Sequence, residues 1–156
     1  MEEVERTAFR RDTIGIIYQT DNLIPFLTAY ENVMVPMQLN GMKNADQRAR
    51  QLLSDVGLSQ RMDHKPAMLS GGERQRTAIA VALANQPEIL LADELTGELD
   101  SGTADTIMDL LHTLNEQHHL TLIVVTHNRN IAKKAPRQIS ISDGVLLKRE
   151  ESHVSK

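Results

Sequence analysis

The chain has 156 residues, with 17 Lys and Arg against 21 Asp and Glu, so one domain or a large piece of one carries a formal charge of −4. Without a basic block it offers no electrostatic grip on a nucleic-acid backbone, and without cysteine it has no disulfides, thiolate zinc sites or cysteine nucleophiles, which suits a reducing compartment. No apolar run approaches the ~18 residues that cross a bilayer, and the charged start Met1-Glu-Glu-Val-Glu-Arg6 does not read as a secretory signal, so any membrane role is expected to come through a partner.

In chain order, Thr13 to Tyr18 is rich in Ile and predicts a buried strand, and the pattern changes at Pro25. Thr28 to Glu31 fits a capping box opening a helix that runs to Gln38, with Pro36 expected to kink it or end it early. Asn44 is expected to cap a second helix, in which Ala45, Ala49, Leu52, Leu53 and Val56 repeat at helical spacing before Gly57 stops it. Ser70 to Glu73 makes a second capping box, and Ile79, Ala82 and Leu83 form the buried face of a helix ending before Pro87. Residues 23–86 thus read as mainly helical.

From Glu88 the period changes. Ile89 to Ala92 predicts a fully buried parallel strand ending in Asp93-Glu94. Ile107, Leu110, Leu111 and Leu114 predict a helix leading into a second buried strand, Leu120 to Thr126. Gln138 to Leu147 alternates about Asp143-Gly144 as a hairpin with a primed turn, and Glu150 to Lys156 is expected to fray. Ligands of open parallel sheets bind beyond the carboxyl ends of the strands, so Gln19, Asp93-Glu94 and His127, each just past a predicted strand, are the candidate site. His64, His112, His118 and His119 read as solvent residues.

Four stretches stand in a telling order: Ile17-Tyr18-Gln19, Leu69-Ser70-Gly71-Gly72-Glu73-Arg74-Gln75-Arg76, Ile89 to Asp100, and Val125-Thr126-His127. They resemble the Q-loop, the signature, the Walker B strand with its D-loop, and the H-loop of the ATP-binding subunit of an ABC transporter, a branch of the P-loop nucleotide hydrolases. The resemblance runs from residue 11 to residue 148. Leu91 to Asp100 and Leu27 to Val33 are closest to the lipoprotein-release and macrolide-export group. The fold class implied is α/β: a RecA-like parallel-sheet core, residues 1–22 and 87–148, with a helical subdomain, residues 23–86, carrying the signature, and a tail, 149–156.

The chemistry fits the residue types. Hydrolysing a terminal phosphoryl group is mainly positioning and neutralisation of charge, with magnesium bridging phosphates. Asp93 would supply a carboxylate to the magnesium shell, and Glu94, on the other side of the strand, a base for the attacking water. Gln19 can orient water and touch magnesium, the sensing role implied by the resemblance, and His127 can donate a hydrogen bond to the terminal phosphate. The helix start at Ser70-Gly71-Gly72-Glu73 carries about half a positive charge and free N–H groups, an anion site. By resemblance it faces ATP held by a second ATP-binding subunit, with Asp100 near the same seam. ATP and magnesium are thus the implied cofactors. Membrane permease subunits and a second cassette are the implied partners, without nucleic acid, at the cytoplasmic face of the membrane.

No G-x-x-x-x-G-K-[ST] loop occurs, and none of Lys43, Lys65, Lys133, Lys134, Lys148 and Lys156 follows a glycine. By resemblance the stretch begins after its phosphate-loop strand and first helix, and it is expected not to bind ATP unaided and to expose a strand edge and the apolar face beneath. Three residues depart from the family pattern: Leu95 for proline, expected to place Glu94 less rigidly, Glu98 for asparagine and Val81 for arginine. Two other readings are a non-enzymatic remnant that lends its signature face or docks on a transporter, and an ABC-type ATPase of DNA repair or chromosome maintenance. Gln19 and Ser70 are only 51 positions apart, which leaves no room for the coiled coil of the latter class.

Overall fold

In the computed structural model, which describes residues 3–95, 97 and 99–151, contacts divide the chain into two units, Met1–Val125 and Thr126–Lys156. The first is built on three parallel strands, β1 (Ile14–Ile17), β2 (Ile89–Asp93) and β3 (Thr121–Val125), in the order β1-β2-β3. Ile17 pairs with Ala92, and Asp93 with Val125. Around them lie α1 (Glu3–Thr13), α2 (Ala29–Leu39), α3 (Ala45–Asp55), α4 (Gly71–Leu83) and α5 (Ser101–His118).

Helix α1 runs straight into β1 and is the element the sequence does not announce. It has Glu3 and Glu5 in its first turn and Arg10 and Arg11 in its last, the charge order that the helix dipole favours. Both predicted capping boxes form: the Thr28 side chain accepts from the Glu31 N–H while Glu31 accepts from the Thr28 N–H, and Ser70 and Glu73 do the same. Pro36 does not end α2, which continues to Leu39. Its ring fixes a helical φ and removes only one donor, and buried Val33 and Met37 hold the helix on either side. Asn44 precedes α3, but at φ −101° and ψ 26° its side chain makes no capping bond. The strong end of α3 is the other one: Gly57 at φ +72°, with the Leu58 N–H on the Leu53 carbonyl and the Gly57 N–H on that of Ser54, closes a Schellman motif.

Helix α4 lies hard against β1. A Cβ on Gly15 would stand 2.4 Å from the Ala82 carbonyl oxygen, so the approach needs glycine there. Arg48 of α3 donates from Nε to the Ala84 carbonyl at 2.8 Å and from Nη2 to that of Leu83 at 2.7 Å, satisfying the end of α4. His118 is less plain than the sequence suggests: partial desolvation, then the nearby Arg48 charge, hold its pKa below the usual value. Ile17, Leu90 and Ala92 join Val33, Leu53, Ile79, Leu83, Ile107 and Leu111 in one core.

The strands are not buried on both sides as their apolar runs predict, and the sheet exposes an apolar face, as the sequence also leads one to expect. Leu90 and Ala92 are sealed, but on the opposite face Ile16, Ile123 and Val125 are 38, 46 and 57% exposed. All-parallel sheets are otherwise covered on both faces. In the second unit, α6 (Arg129–Ala132) precedes the antiparallel pair β4 (Arg137–Ser142) and β5 (Val145–Glu151). The turn between them has Asp143 at φ +49° and Gly144 at φ +76°, as the Asp-Gly signal predicts. Glu150 and Glu151 belong to β5 rather than to a frayed end, and Ser152–Lys156 lie outside the described residues. Among the described residues no helix is long and apolar enough to cross a membrane.

The exposed apolar face of Ile16, Ile123 and Val125, on a sheet in which β3 is an edge among the described residues, should drive association. Sedimentation of the purified chain should show concentration-dependent oligomers, and Ile123→Lys should shift them toward monomer. A wild-type chain that stays monodisperse at high concentration would contradict this.

Candidate functional site

The strand register brings Gln19, Asp93 and Glu94 to one rim. Because Ile17 pairs with Ala92 and Asp93 with Val125, Gln19 and Asp93-Glu94 leave the sheet at the same carboxyl edge. A Cβ on Gly97 would stand 3.5 Å from Gln19 Nε2, so the glutamine amide lies beside the turn that follows Glu94. Asp93 and Gln19 are exposed there and offer carboxylate and amide oxygens, the hard donors that magnesium takes. Among the described residues no group of three or more His, Asp or Glu side chains could hold a metal by itself, so an ion at this rim would need further oxygens from its ligand or from water.

Glu94 has φ +47°, an uncommon conformation for a residue with a side chain that costs on the order of 1–3 kcal/mol. Its N–H donates to the Val125 carbonyl and its carbonyl accepts from the Gly97 N–H, both at 2.9 Å. Leu95, which stands where proline was expected, is 2% exposed and belongs to the core, so burial anchors this side of the turn. Val81 likewise packs against the core. Thr96 and the departure at Glu98 lie outside the described residues. His127 belongs to the second unit, exposed, beside Asn128, whose side chain accepts from the Asn130 N–H at the start of α6.

The second group is the start of α4. Ser70 Oγ accepts from the Glu73 N–H at 3.2 Å, and Glu73 Oε2 accepts from the Ser70 N–H at 2.8 Å. Arg61 Nε donates to Glu73 Oε1 at 3.0 Å. The Ser70 N–H, then Arg61, hold the Glu73 carboxyl below its usual pKa. Ser70 and Gly71 are exposed, and a Cβ on Gly72 would come within 3.0 Å of Thr103 Cγ2 in α5. The starts of α4 and α5 are therefore neighbours. Asp100 caps α5, accepting from the Thr103 N–H at 3.0 Å and the Thr103 hydroxyl at 2.6 Å, contacts that lower its pKa. In the free chain its carboxylate oxygens act within its own helix start.

Two tethers were not foreseen. Asn32, 4% exposed, accepts from the Ile24 N–H at 2.7 Å and donates to the carbonyls of Ile24, Leu27 and Thr28. Arg74 of α4 pairs with Asp21 at 2.7 Å. No local spacing links residues 53 positions apart, so only the fold reveals this pair.

Residues 1–97 match the family model described as ABC transporter. The chain is 50% identical over 147 residues to the lipoprotein-releasing system ATP-binding protein LolD of Syntrophus aciditrophicus (strain SB), covering 93% of this chain and 66% of that protein. LolD of Legionella pneumophila (strain Paris) is 46% identical over 152 residues, 96% of this chain and 67% of the relative. The chain thus spans about two thirds of the length of the curated relatives it matches. Among solved structures it is similar to the dimeric post-hydrolysis state of the ATP-binding cassette MJ0796 bound to ADP and Pi. That match has a TM-score of 0.82 and 43% identity, over 97% of this chain and 68% of that one.

Glu73 titrates below the ordinary glutamate value of 4.5, so its contribution is full above that pH and is lost as pH falls through the lowered folded value. Thermal melts should find Glu73→Gln a few degrees less stable than wild type at neutral pH, with the gap closing below about pH 4. A gap that does not change with pH would remove the charge of Glu73 from the capping of α4.

Proposed function

Because the chain belongs to the family of ABC transporter ATP-binding proteins, we propose that it is the ATP-binding, ATP-hydrolysing part of an export-type transporter, acting with membrane permease subunits and a second cassette. The names of its relatives favour lipoprotein release as the task, at the cytoplasmic face of the membrane and without nucleic acid. One observation carries the reading: Gln19 and Asp93-Glu94 share a sheet rim, and the same unit exposes a capped, glycine-bearing helix start at Ser70 to Gly72.

Magnesium, when bound with ATP, would neutralise phosphate charge. Asp93 and Gln19 would hold it through oxygen. Glu94, set by the turn to Gly97 and the bond to Val125, would take a proton from the attacking water. Gln19 would orient that water, and His127 would donate to the terminal phosphate. The first N–H groups of α4, next to Gly71 and Gly72, would bind the phosphates of ATP held by the second cassette, with Asp100 keeping the start of α5 ordered at the same seam.

A second reading is a non-enzymatic half-site that lends its signature face to a partner carrying the phosphate loop, a motif these residues do not contain. Such a loop contributes several charge-assisted bonds of ~1.5–3 kcal/mol each. Without about four of them ~6 kcal/mol is lost, at least ~10⁴ in affinity.

Titrating fluorescent ATP with magnesium into the chain by itself should therefore give no micromolar binding. Binding at micromolar affinity would show that these residues hold the nucleotide without the loop and would overturn this account of the site.

A further inference from the structure

The loop from β1 to α2 carries Gln19, and the start of α4 carries Ser70 to Gly72. One guanidinium spans both. Arg74 Nε donates to Asp21 Oδ2 at 2.7 Å, and its Nη1 donates to the Leu69 carbonyl at 2.9 Å, just before the Ser70 cap. Its Nη2 lies 3.9 Å from where a Cβ on Gly71 would stand. Arginine's planar fork can serve two acceptors in fixed directions, which a lysine ammonium cannot. The side chains are 38% and 30% exposed, so solvent screens the pair only in part.

The far half of the loop is bound elsewhere. Asn32 of α2 fastens Ile24, Leu27 and Thr28. Between Ile17, which is paired in β1, and Ile24 runs a stretch with Gln19, Thr20 and Asn22 exposed and Asn22 at φ +47°. Asp21 is the anchor within that stretch, two residues from Gln19.

We propose that Asp21 and Arg74 are positioning residues whose ion pair ties Gln19 to the Ser70–Gly72 turn, so that the two elements assigned to phosphate shift as one body. Their value to catalysis rests on the function proposed above, but the mechanical link does not. A ligand that moves the glutamine then moves the helix start, and the reverse.

The test is amide hydrogen exchange and NMR on the full chain without nucleotide. Asp21→Asn, a change in the loop, should raise exchange about two- to fivefold at the Ser70 and Glu73 amides of the distant capping box, as expected for losing a partly screened pair. Arg74→Lys should do the same, and the double exchange Asp21→Arg with Arg74→Asp should restore protection at least in part. Across these variants the Gln19 side-chain amide and Ser70 backbone resonances should move together along one line. Unchanged exchange at Ser70 and Glu73 in Asp21→Asn would overturn the link. So would faster exchange throughout the chain in step with a lower melting temperature, since that marks an ordinary stabilising contact. Because no nucleotide is present, failure here leaves the ATPase reading standing, and failure of ATP binding leaves this result unchanged.

Discussion

The architecture of the first unit depends on how closely α4 can lie on the sheet. With no side chain at Gly15, the α4 backbone at Ala82 comes to a distance that any Cβ would forbid. One end of the helix is thereby fixed on β1 and sealed by Arg48, whose guanidinium remains charged although burial lowers its pKa. The other end projects away from that anchor and exposes Ser70 and Gly71. A helix held at its carboxyl end and capped but solvent-exposed at its amino end is an aimed dipole, and the position of the candidate anion site follows from that constraint.

At the exposed end, structure and proposed chemistry use the same atoms. The reciprocal bonds of Ser70 and Glu73 satisfy two backbone donors and leave those of the flanking glycines available. Asp100 does similar work one helix away, and the contact of Gly72 with Thr103 sets the two starts side by side. At the rim, Glu94 stays in a strained conformation because β3 and the buried Leu95 hold the turn on both sides.

What could be read from the sequence was what local chemistry writes down. Two capping boxes, the Gly57 stop and the Asp143-Gly144 turn are each encoded within a few residues, and each is present. The rim was legible because strand ends are marked by a change of period and a polar residue. Signals that depend on packing were not. Pro36 did not end α2, which buried Val33 and Met37 hold on either side, and Asn44 had the right side chain but the wrong backbone angles. Helix α1 is strongly polar and buries none of its described side chains, so no core face announces it, and apolar strands read as buried whether or not a second layer covers them. The ties of Arg48 to the end of α4 and of Arg74 to Asp21 span long stretches of chain and become visible only once the helices are in place.

The central claim is that the start of α4 meets phosphate held by another cassette. The most direct measurement is sedimentation of this chain mixed with a family member that carries the phosphate loop and whose catalytic glutamate has been changed to glutamine, with and without ATP and magnesium. A complex should form only with ATP and should weaken at least tenfold on Gly71→Glu, which sets a negative charge at the exposed helix start without crowding the core. Association that ignores ATP or is untouched by Gly71→Glu, or no association at all, would contradict the account.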